Sequence, residues 1–262
     1  MATDSELRTT FNREAELYHA IRPRYPDVLI DSLVRNAHLR DGAQLLEIGP
    51  GTGQATEAVA KRGYDIVAVE LGADIARVAR EALGKYPNVR IINAPFETVE
   101  LPSEQFDLIY VATAFHWIES EVRFSKPHQL LRAGGHLAII STHHVSDEAG
   151  DAFYVASQPI HKQHNPDGAY DDKQVLSRLI DIKADDVDED LFTLSYFNAF
   201  SLVVRYSAEA FAQLLQTYSP NIAMEPDRRE SFLAAIVHLI EDAFDGSIQK
   251  HYAMSLTIAQ KK

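Results

Sequence analysis

The stretch 45–54, LLEIGPGTGQ, constrains this chain more than any other. An apolar run carries an acid, Glu47, and three glycines follow at alternate positions, Gly49, Gly51 and Gly53. Glycine adopts left-handed backbone angles without a Cβ penalty, so such a run turns tightly and lets main chain come close to a ligand. The segment behind it, 55–62, has a helical pattern stopped by Gly63. A helix beginning after such a turn offers unpaired N–H groups and the positive end of its dipole. Two kinds of ligand use that arrangement: a phosphate, or the carboxylate and sugar of an amino-acid nucleoside. The dinucleotide fingerprint asks for glycine where Gln54 stands, and the Gly-Lys-Ser/Thr of a P-loop is absent. Glu47 would oppose a pyrophosphate and suits a cationic amine.

The rhythm from residue 43 to 142 is that of repeated βαβ units. Strand-like runs are read at 44–48, 66–70, 89–93, 106–113 and 136–141, and helices at 55–62, 73–83 and 119–131, with Gly84 a candidate C-cap. Runs this rich in β-branched residues suit a parallel sheet buried on both faces. Ahead of the core, 4–18 and 27–37 read as helices separated by RPRYP. Behind it, 145–190 carries little strand pattern, and 171–190 holds eight acidic residues against three basic, read as a solvated face or loop. A strand at 197–206, a helix at 208–216 capped by Ser207, a longer helix at 226–244 and a last strand at 252–259 complete the chain.

Composition narrows the function classes. Net charge is −13, with no basic cluster to override it, which disfavours nucleic acid as a partner. The absence of cysteine excludes disulfides, thiolate metal sites and cysteine nucleophiles. Thr142-His143-His144 gives no metal-ligand spacing, so no metal is expected. The N-terminus has no apolar leader and no apolar run is long enough to span a bilayer. These features predict a cytoplasmic protein that engages no membrane.

Candidate site residues cluster where open α/β sheets place ligands, at the carboxyl ends of strands. Glu70 ends the second strand, 17 residues beyond Gly53, where an acid can accept from both hydroxyls of a ribose; this feature is shared with NAD-binding folds. The third strand ends in Asn93-Ala94-Pro95-Phe96-Glu97 and the fourth in Thr113-Ala114-Phe115-His116-Trp117, which includes the only tryptophan.

The stretches FNREAELYHAIRPRYP, LLEIGPGTGQAT, VAVELGADIARVAR, NAPFETVELP, FDLIYVATAFHWI and LLRAGGHLAII, in this order over residues 11–142, resemble the class I S-adenosylmethionine-dependent methyltransferases. Within them the chain is similar to the small-molecule branch, methyltransferase type 11, that includes trans-aconitate methyltransferase-like proteins. The resemblance implies a doubly wound, mostly parallel, seven-stranded α/β sheet of Rossmann-like form with a mainly helical cap. It divides the chain into an N-terminal helical segment over the cofactor (1–40), a cofactor-binding core (41–144), a helical cap (145–195) and C-terminal helices and strands that complete the sheet (196–262). The implied cofactor is S-adenosyl-L-methionine, and the implied activity is methyl transfer to an oxygen, nitrogen or carbon nucleophile of a small molecule, a carboxylate among the candidates. A non-catalytic S-adenosylmethionine-binding protein and, more remotely, an NAD-dependent oxidoreductase are the alternatives.

The resemblance also distributes roles. Gly49, Gly51 and Gly53 would pack against the methionine and ribose, with Glu47 beneath them near the methionine amine. Glu70 would hold the ribose hydroxyls and Leu71 pad the adenine, whose pocket Ala94 and Phe96 would line. Relatives often carry Asp as an adenine acceptor where Asn93-Ala94 stands, so that polar contact is open here. Thr113, Ala114 and Phe115 would wall the sulfonium, and Tyr18 and Arg22 would close over the methionine end. His116 is the candidate base or orienting group, with Trp117 and His143 beside the acceptor and Arg205, or Arg123, as anchors for an acid. A monomer or homodimer is expected.

Overall fold

The computed structural model describes residues 15–146, 151–164 and 181–262. The part of the expected 4–18 helix that falls in 4–14, and those parts of the expected cap and acidic stretch that fall in 147–150 and 165–180, lie outside the described residues. The elements run α1 (Ala15–Ile21), α2 (Asp27–Asn36), β1 (Gln44–Ile48), α3 (Gln54–Ala60), β2 (Asp65–Glu70), α4 (Ala73–Leu83), β3 (Val89–Asn93) and β4 (Phe106–Ala112). A 3₁₀ turn (Phe115–Trp117), α5 (Ser125–Leu130), β5 (Leu131–Val145), α6 (Ala152–His164), β6 (Phe192–Ser207), α7 (Ala208–Gln216), α8 (Ser219–Ile222), α9 (Pro226–Ala243) and β7 (Ser247–Lys261) follow.

The seven strands form one sheet in the order β3-β2-β1-β4-β5-β7-β6. The pairs β1/β2, β2/β3, β1/β4 and β4/β5 are parallel. This is the Rossmann-like architecture expected from the sequence. Strand order reverses between β1 and β4, which opens a crevice beyond their carboxyl ends. Side chains alternate across the strands. Leu46 and Ile48 of β1 join Ile109 and Val111 of β4 and Leu137 of β5 in one core cluster, while Leu45, Glu47, Leu108 and Tyr110 are buried on the opposite face. The register sets Glu47 directly against Tyr110.

Two compact units divide the chain. A sheet unit comprises Pro23–Thr142, Ile182–Phe200 and Met254–Lys262. A helical unit comprises the described residues of 15–22, of 143–181 and of Ser201–Ala253. Its core joins Phe153 of α6, Phe211, Leu214 and Leu215 of α7, and Phe232, Ile236 and Ile240 of α9. The division differs from boundaries at 40/41, 144/145 and 195/196 because β5, β6 and β7 are long enough to run through both units.

Two segments depart from the sequence reading. The expected helix over 119–131 is a short turn followed by α5, since Pro127 falls in the interior of that span, where it lacks the N–H an interior position donates, and is accommodated in the first turn of α5. Gly134-Gly135, read as a helix stop, lies inside β5, where the register against β4 shifts between Phe106 and Leu108. Gly134 there has φ +71°, and a Cβ on Gly135 would meet the Phe106 carbonyl at 3.1 Å, so both glycines serve a strand irregularity. Gly84 is the C-cap of α4, as expected, with a right-handed φ of −57° and its N–H donated to the Glu81 carbonyl. Ser207 likewise caps α7, by accepting the Ala210 N–H at 3.2 Å.

Candidate functional site

The glycine turn after β1 is held by the sheet on either side. Gly49 donates its N–H to the Val69 carbonyl at 2.9 Å, and Gly53 closes onto the Pro50 carbonyl at 3.0 Å. Gly49, Gly51 and Gly53 have φ of +66°, +58° and +96°, a region that other residues enter at a cost. A Cβ at Gly49 would lie 2.8 Å from the Ala114 methyl, and one at Gly53 2.7 Å from Leu83 Cδ1. The sequence thus leaves side chains out where loop, β4 edge and α4 converge.

Glu70 closes the other side of the crevice. Its Oε2 accepts the Gly51 N–H at 3.1 Å and its Oε1 the Gly72 N–H at 2.8 Å. The side chain is 8% exposed, and burial pushes its pKa up while the Gly72, Gly51 and Leu71 N–H groups pull it down. Each oxygen keeps a lone pair for a further donor. Asn93, at the end of β3, gives both amide hydrogens to backbone, to the Glu70 and Leu71 carbonyls at 2.9 Å each. Asn93 is exposed, and its Oδ1 takes no part in these two bonds.

Glu47 is enclosed beneath the turn, with no exposed surface. Tyr110 donates its hydroxyl to Glu47 Oε2 at 2.7 Å. Oε1 and Thr56 Oγ1 are both buried without a hydrogen-bond partner, although Thr56 stands near enough to stabilise the carboxylate. Burial outweighs these contacts and the pKa rises to about 7. Glu47 therefore lies beneath the turn with no exposed surface of its own.

Thr113, just past β4, is β-branched yet has φ +60°. Its N–H donates to the Ile140 carbonyl at 2.7 Å, and its Oγ1 lies 3.0 Å from the Tyr25 hydroxyl and 3.3 Å from Thr142 Oγ1. These partners hold a backbone conformation that an isolated threonine would leave. Ala114 and the ring of Phe115 pack partly buried against the sheet core. His116 is exposed and its ring lies 4.6 Å from that of Trp117.

Several expected residues make contacts within the fold. Phe96 is 4% exposed within the core, with Lys126 Nζ over its ring at 5.1 Å. Arg123 donates to the Ile118 carbonyl from Nε at 3.1 Å and Nη2 at 2.8 Å, bracing the 115–118 turn instead of standing free for an acid. Tyr18, Arg22, His143 and Arg205 belong to the helical unit. There Arg22 lies over the rings of Tyr18 and Tyr218 and donates to Thr217, while Arg205 donates to Ser247 Oγ from Nε at 3.1 Å and Nη2 at 2.7 Å. Sequence reasoning missed Tyr110, Thr56, Tyr25 and Thr142. For Tyr110 a signal existed: a hydroxyl in a strand buried on both faces demands a partner, and Glu47 was the polar residue of the neighbouring strand.

The methyltransferase domain family matches residues 46–139, from β1 into β5. These residues form a methyltransferase domain. By its motifs and sheet order the domain is of the class I, S-adenosylmethionine-dependent kind. An uncharacterised methyltransferase of Mycobacterium tuberculosis is 30% identical over 135 residues, 52% of this chain and 53% of that protein. The chain spans about half the length of the curated relatives it matches. Among solved structures, a proposed type II methyltransferase from Anaeromyxobacter dehalogenans aligns with TM-score 0.62 and 23% identity over 91% of this chain and 97% of its own. The phosphoethanolamine N-methyltransferase 2 of Haemonchus contortus, solved with S-adenosylhomocysteine, aligns with TM-score 0.51 and 16% identity over all of this chain and 60% of its own. At these identities the structural likeness shows the fold. The methyltransferase domain thus contains the glycine turn, Glu70, Asn93 and Thr113. Among the described residues no helix is long and apolar enough to cross a membrane, and no three His, Asp or Glu side chains group as a metal site.

Proposed function

We propose that this chain transfers a methyl group from S-adenosylmethionine to an oxygen, nitrogen or carbon atom of a small molecule. The observation that carries the reading is the carboxylate of Glu70, fixed by the N–H groups of Gly51 and Gly72 at the end of β2 and facing the glycine turn. A ribose with two adjacent hydroxyls suits the lone pairs it has left. The three left-handed glycines fit a ligand that must lie on main chain, and Asn93 Oδ1 supplies an acceptor for an adenine amine. When bound, the cofactor supplies a methyl group already activated by its sulfonium.

The chain's own residues then bind, orient and exclude water, and alignment alone contributes about 7–11 kcal/mol to such a transfer. In this reading Gly49, Gly51 and Gly53 lie against the methionine and ribose, Leu71 and Ala94 against the adenine, and Thr113, Ala114 and Phe115 wall the reacting end. His116 takes a proton where the acceptor has one to lose, with Trp117 beside it, and a carboxylate acceptor needs no base. The net charge of −13 supports a small-molecule acceptor over a polyphosphate.

Incubating the full chain with methyl-labelled S-adenosylmethionine and a panel of small acids, amines and phenols tests the reading. Label in an acceptor, lost in Glu70→Ala, is the expected result. Tight cofactor binding with no label moved across the panel would favour a non-catalytic binding protein.

A further inference from the structure

Thr113 holds a conformation that its residue type resists. Among the described residues four non-glycine residues have positive φ, His38, Glu104, Thr113 and Asp245, and of these Thr113 alone is β-branched. A β-branched side chain at φ +60° crowds its own backbone, and such strain persists only where neighbouring groups fix it, most often at working sites. Thr113 stands just past the carboxyl end of β4, on the edge of the crevice. Its place in the wall of the reacting end does not by itself call for that strain.

Three groups hold Thr113 there. Its N–H donates to the Ile140 carbonyl at 2.7 Å, which continues the pairing of β4 with β5 past the end of β4. Its Oγ1 lies 3.0 Å from the Tyr25 hydroxyl and 3.3 Å from Thr142 Oγ1, so three hydroxyls are joined in series. Tyr25 is itself anchored. Pro26 restricts it to extended backbone, and α2 begins at the next residue, Asp27. Leu29, Ile30 and Leu33 of α2 have no exposed surface. Arg62, two residues beyond α3, donates to Asp31 Oδ1 from Nε at 2.9 Å and Nη2 at 2.6 Å, and to Asp27 Oδ1 from Nη2 at 3.2 Å. The helix that follows the glycine turn and the helix that carries Tyr25 are thereby tied together.

The consequence lies in Ala114. A Cβ on Gly49 would meet the Ala114 methyl at 2.8 Å, so that methyl fills the space the glycine leaves. The Ala114 carbonyl accepts the Trp117 N–H at 3.0 Å and starts the 3₁₀ turn. The φ of Thr113 sets the direction in which the chain leaves β4, and hence where Ala114 and that turn stand. A right-handed Thr113 would swing Ala114 off the glycine turn and open the end of the crevice. A neutral hydrogen bond and a left-handed conformation are of the same order in free energy, so one hydroxyl is enough to tip the choice. We infer that Tyr25 is a positioning residue, whose hydroxyl latches Thr113 in the left-handed conformation and so seats Ala114 against Gly49. It acts through Thr113 and not by contact with the reacting atoms. The inference rests on the methyl-transfer reading only for the ligand that fills the crevice.

Amide hydrogen exchange and calorimetry on the full chain test the latch with Tyr25→Phe, which keeps the ring. Without ligand, exchange at the Thr113 and Trp117 amides is expected to speed up about fivefold or more, and by more than at the amides of β1 and β2. Affinity for S-adenosylhomocysteine is expected to fall about fivefold or more. Adding Thr113→Gly removes the Cβ penalty of the left-handed conformation. The double variant should slow the Trp117 amide again to within about twofold of wild type and regain roughly threefold or more in affinity. A hydroxyl that merely stabilised the fold, or one that touched the ligand, could not be replaced by a glycine at position 113. Three results would overturn the inference: exchange at Thr113 and Trp117 unchanged in Tyr25→Phe, affinity unchanged while exchange speeds up, or no recovery in the double variant. A wild type that binds no S-adenosylhomocysteine would sink the methyl-transfer reading and leave exchange to decide the latch. Faster exchange reversed by Thr113→Gly then upholds it, and any other pattern overturns it.

Discussion

A methyl group added to Gly49 would stand 2.8 Å from the methyl of Ala114. The turn after β1 and the segment after β4 therefore approach as closely as two backbones can with only one side chain between them. Gly49 also has φ +66°, so Gly49→Ala combines a clash with a left-handed conformation worth roughly 1–2 kcal/mol to a non-glycine residue. Chemical denaturation is expected to show a loss of about 2–4 kcal/mol, with S-adenosylhomocysteine affinity lowered in whatever protein folds. Unchanged affinity would mean that the turn does not shape the crevice.

Thr113 separates strain from hydrogen bonding. Thr113→Gly relieves the left-handed φ but gives up the contacts to Tyr25 and Thr142, so its net effect on stability should be small, within about 1 kcal/mol. Thr113→Val keeps the strain and loses the same contacts, and should cost about 1–2 kcal/mol. Denaturation midpoints that rank the valine variant above the glycine variant would contradict this account.

Two buried groups give stability opposite pH slopes. Glu47 titrates near 4.5 when unfolded and near 7 when folded, because burial disfavours its charge. The folded state therefore holds a proton the unfolded state has lost, and stability declines as pH rises from 4.5 to about 7. His161, buried against Phe232, is lowered from 6.5 to about 4 by burial first and then by Lys250 and His164. Here the unfolded state binds the proton first, and stability declines as pH falls from 6.5 towards 4. Glu47→Gln should be more stable than wild type at pH 8 by on the order of 2–3 kcal/mol, with the gain gone near pH 4.5. His161→Gln should flatten the acid limb alone. Denaturation series from pH 4 to 8 check both slopes.

The parallel half of the sheet was legible because its signal is local. A strand buried on both faces reads as a continuous apolar run, and β1, β3 and α4 have the bounds their sequence predicts. The glycine turn and Glu70 were legible for the same reason, since both follow directly from a strand end. The 119–131 segment failed where periodicity was allowed to outweigh Pro127, and β5 was cut short where Gly134-Gly135 stood for a stop although it forms an irregularity within the strand. Arg22, Phe96 and Arg123 meet a more general limit. An aromatic ring or a guanidinium near a strand end has the same sequence whether it faces a ligand or a neighbouring carbonyl. Only tertiary contacts such as Arg123 to Ile118, or Lys126 over Phe96, decide between the two.

Glu70→Ala probes the joint between turn and strand. It leaves the Gly51 and Gly72 N–H groups without their acceptor, so a stability loss of about 1–3 kcal/mol is expected. Glu70→Gln, which keeps an acceptor oxygen but no charge, should recover part of the stability and less of the nucleoside affinity. Melting curves paired with ligand titrations separate the two effects, and equal recovery of both would reduce Glu70 to a structural role.

Isothermal titration of the folded chain with S-adenosylhomocysteine is the most direct test of the central claim, that the crevice between the glycine turn and Glu70 binds an adenosyl amino acid. The account predicts one site with a dissociation constant of about 1–100 μM, weakened at least tenfold by Glu70→Ala, and no comparable heat from NADH. Absence of heat at millimolar S-adenosylhomocysteine, from a protein shown by circular dichroism to be folded, would contradict it.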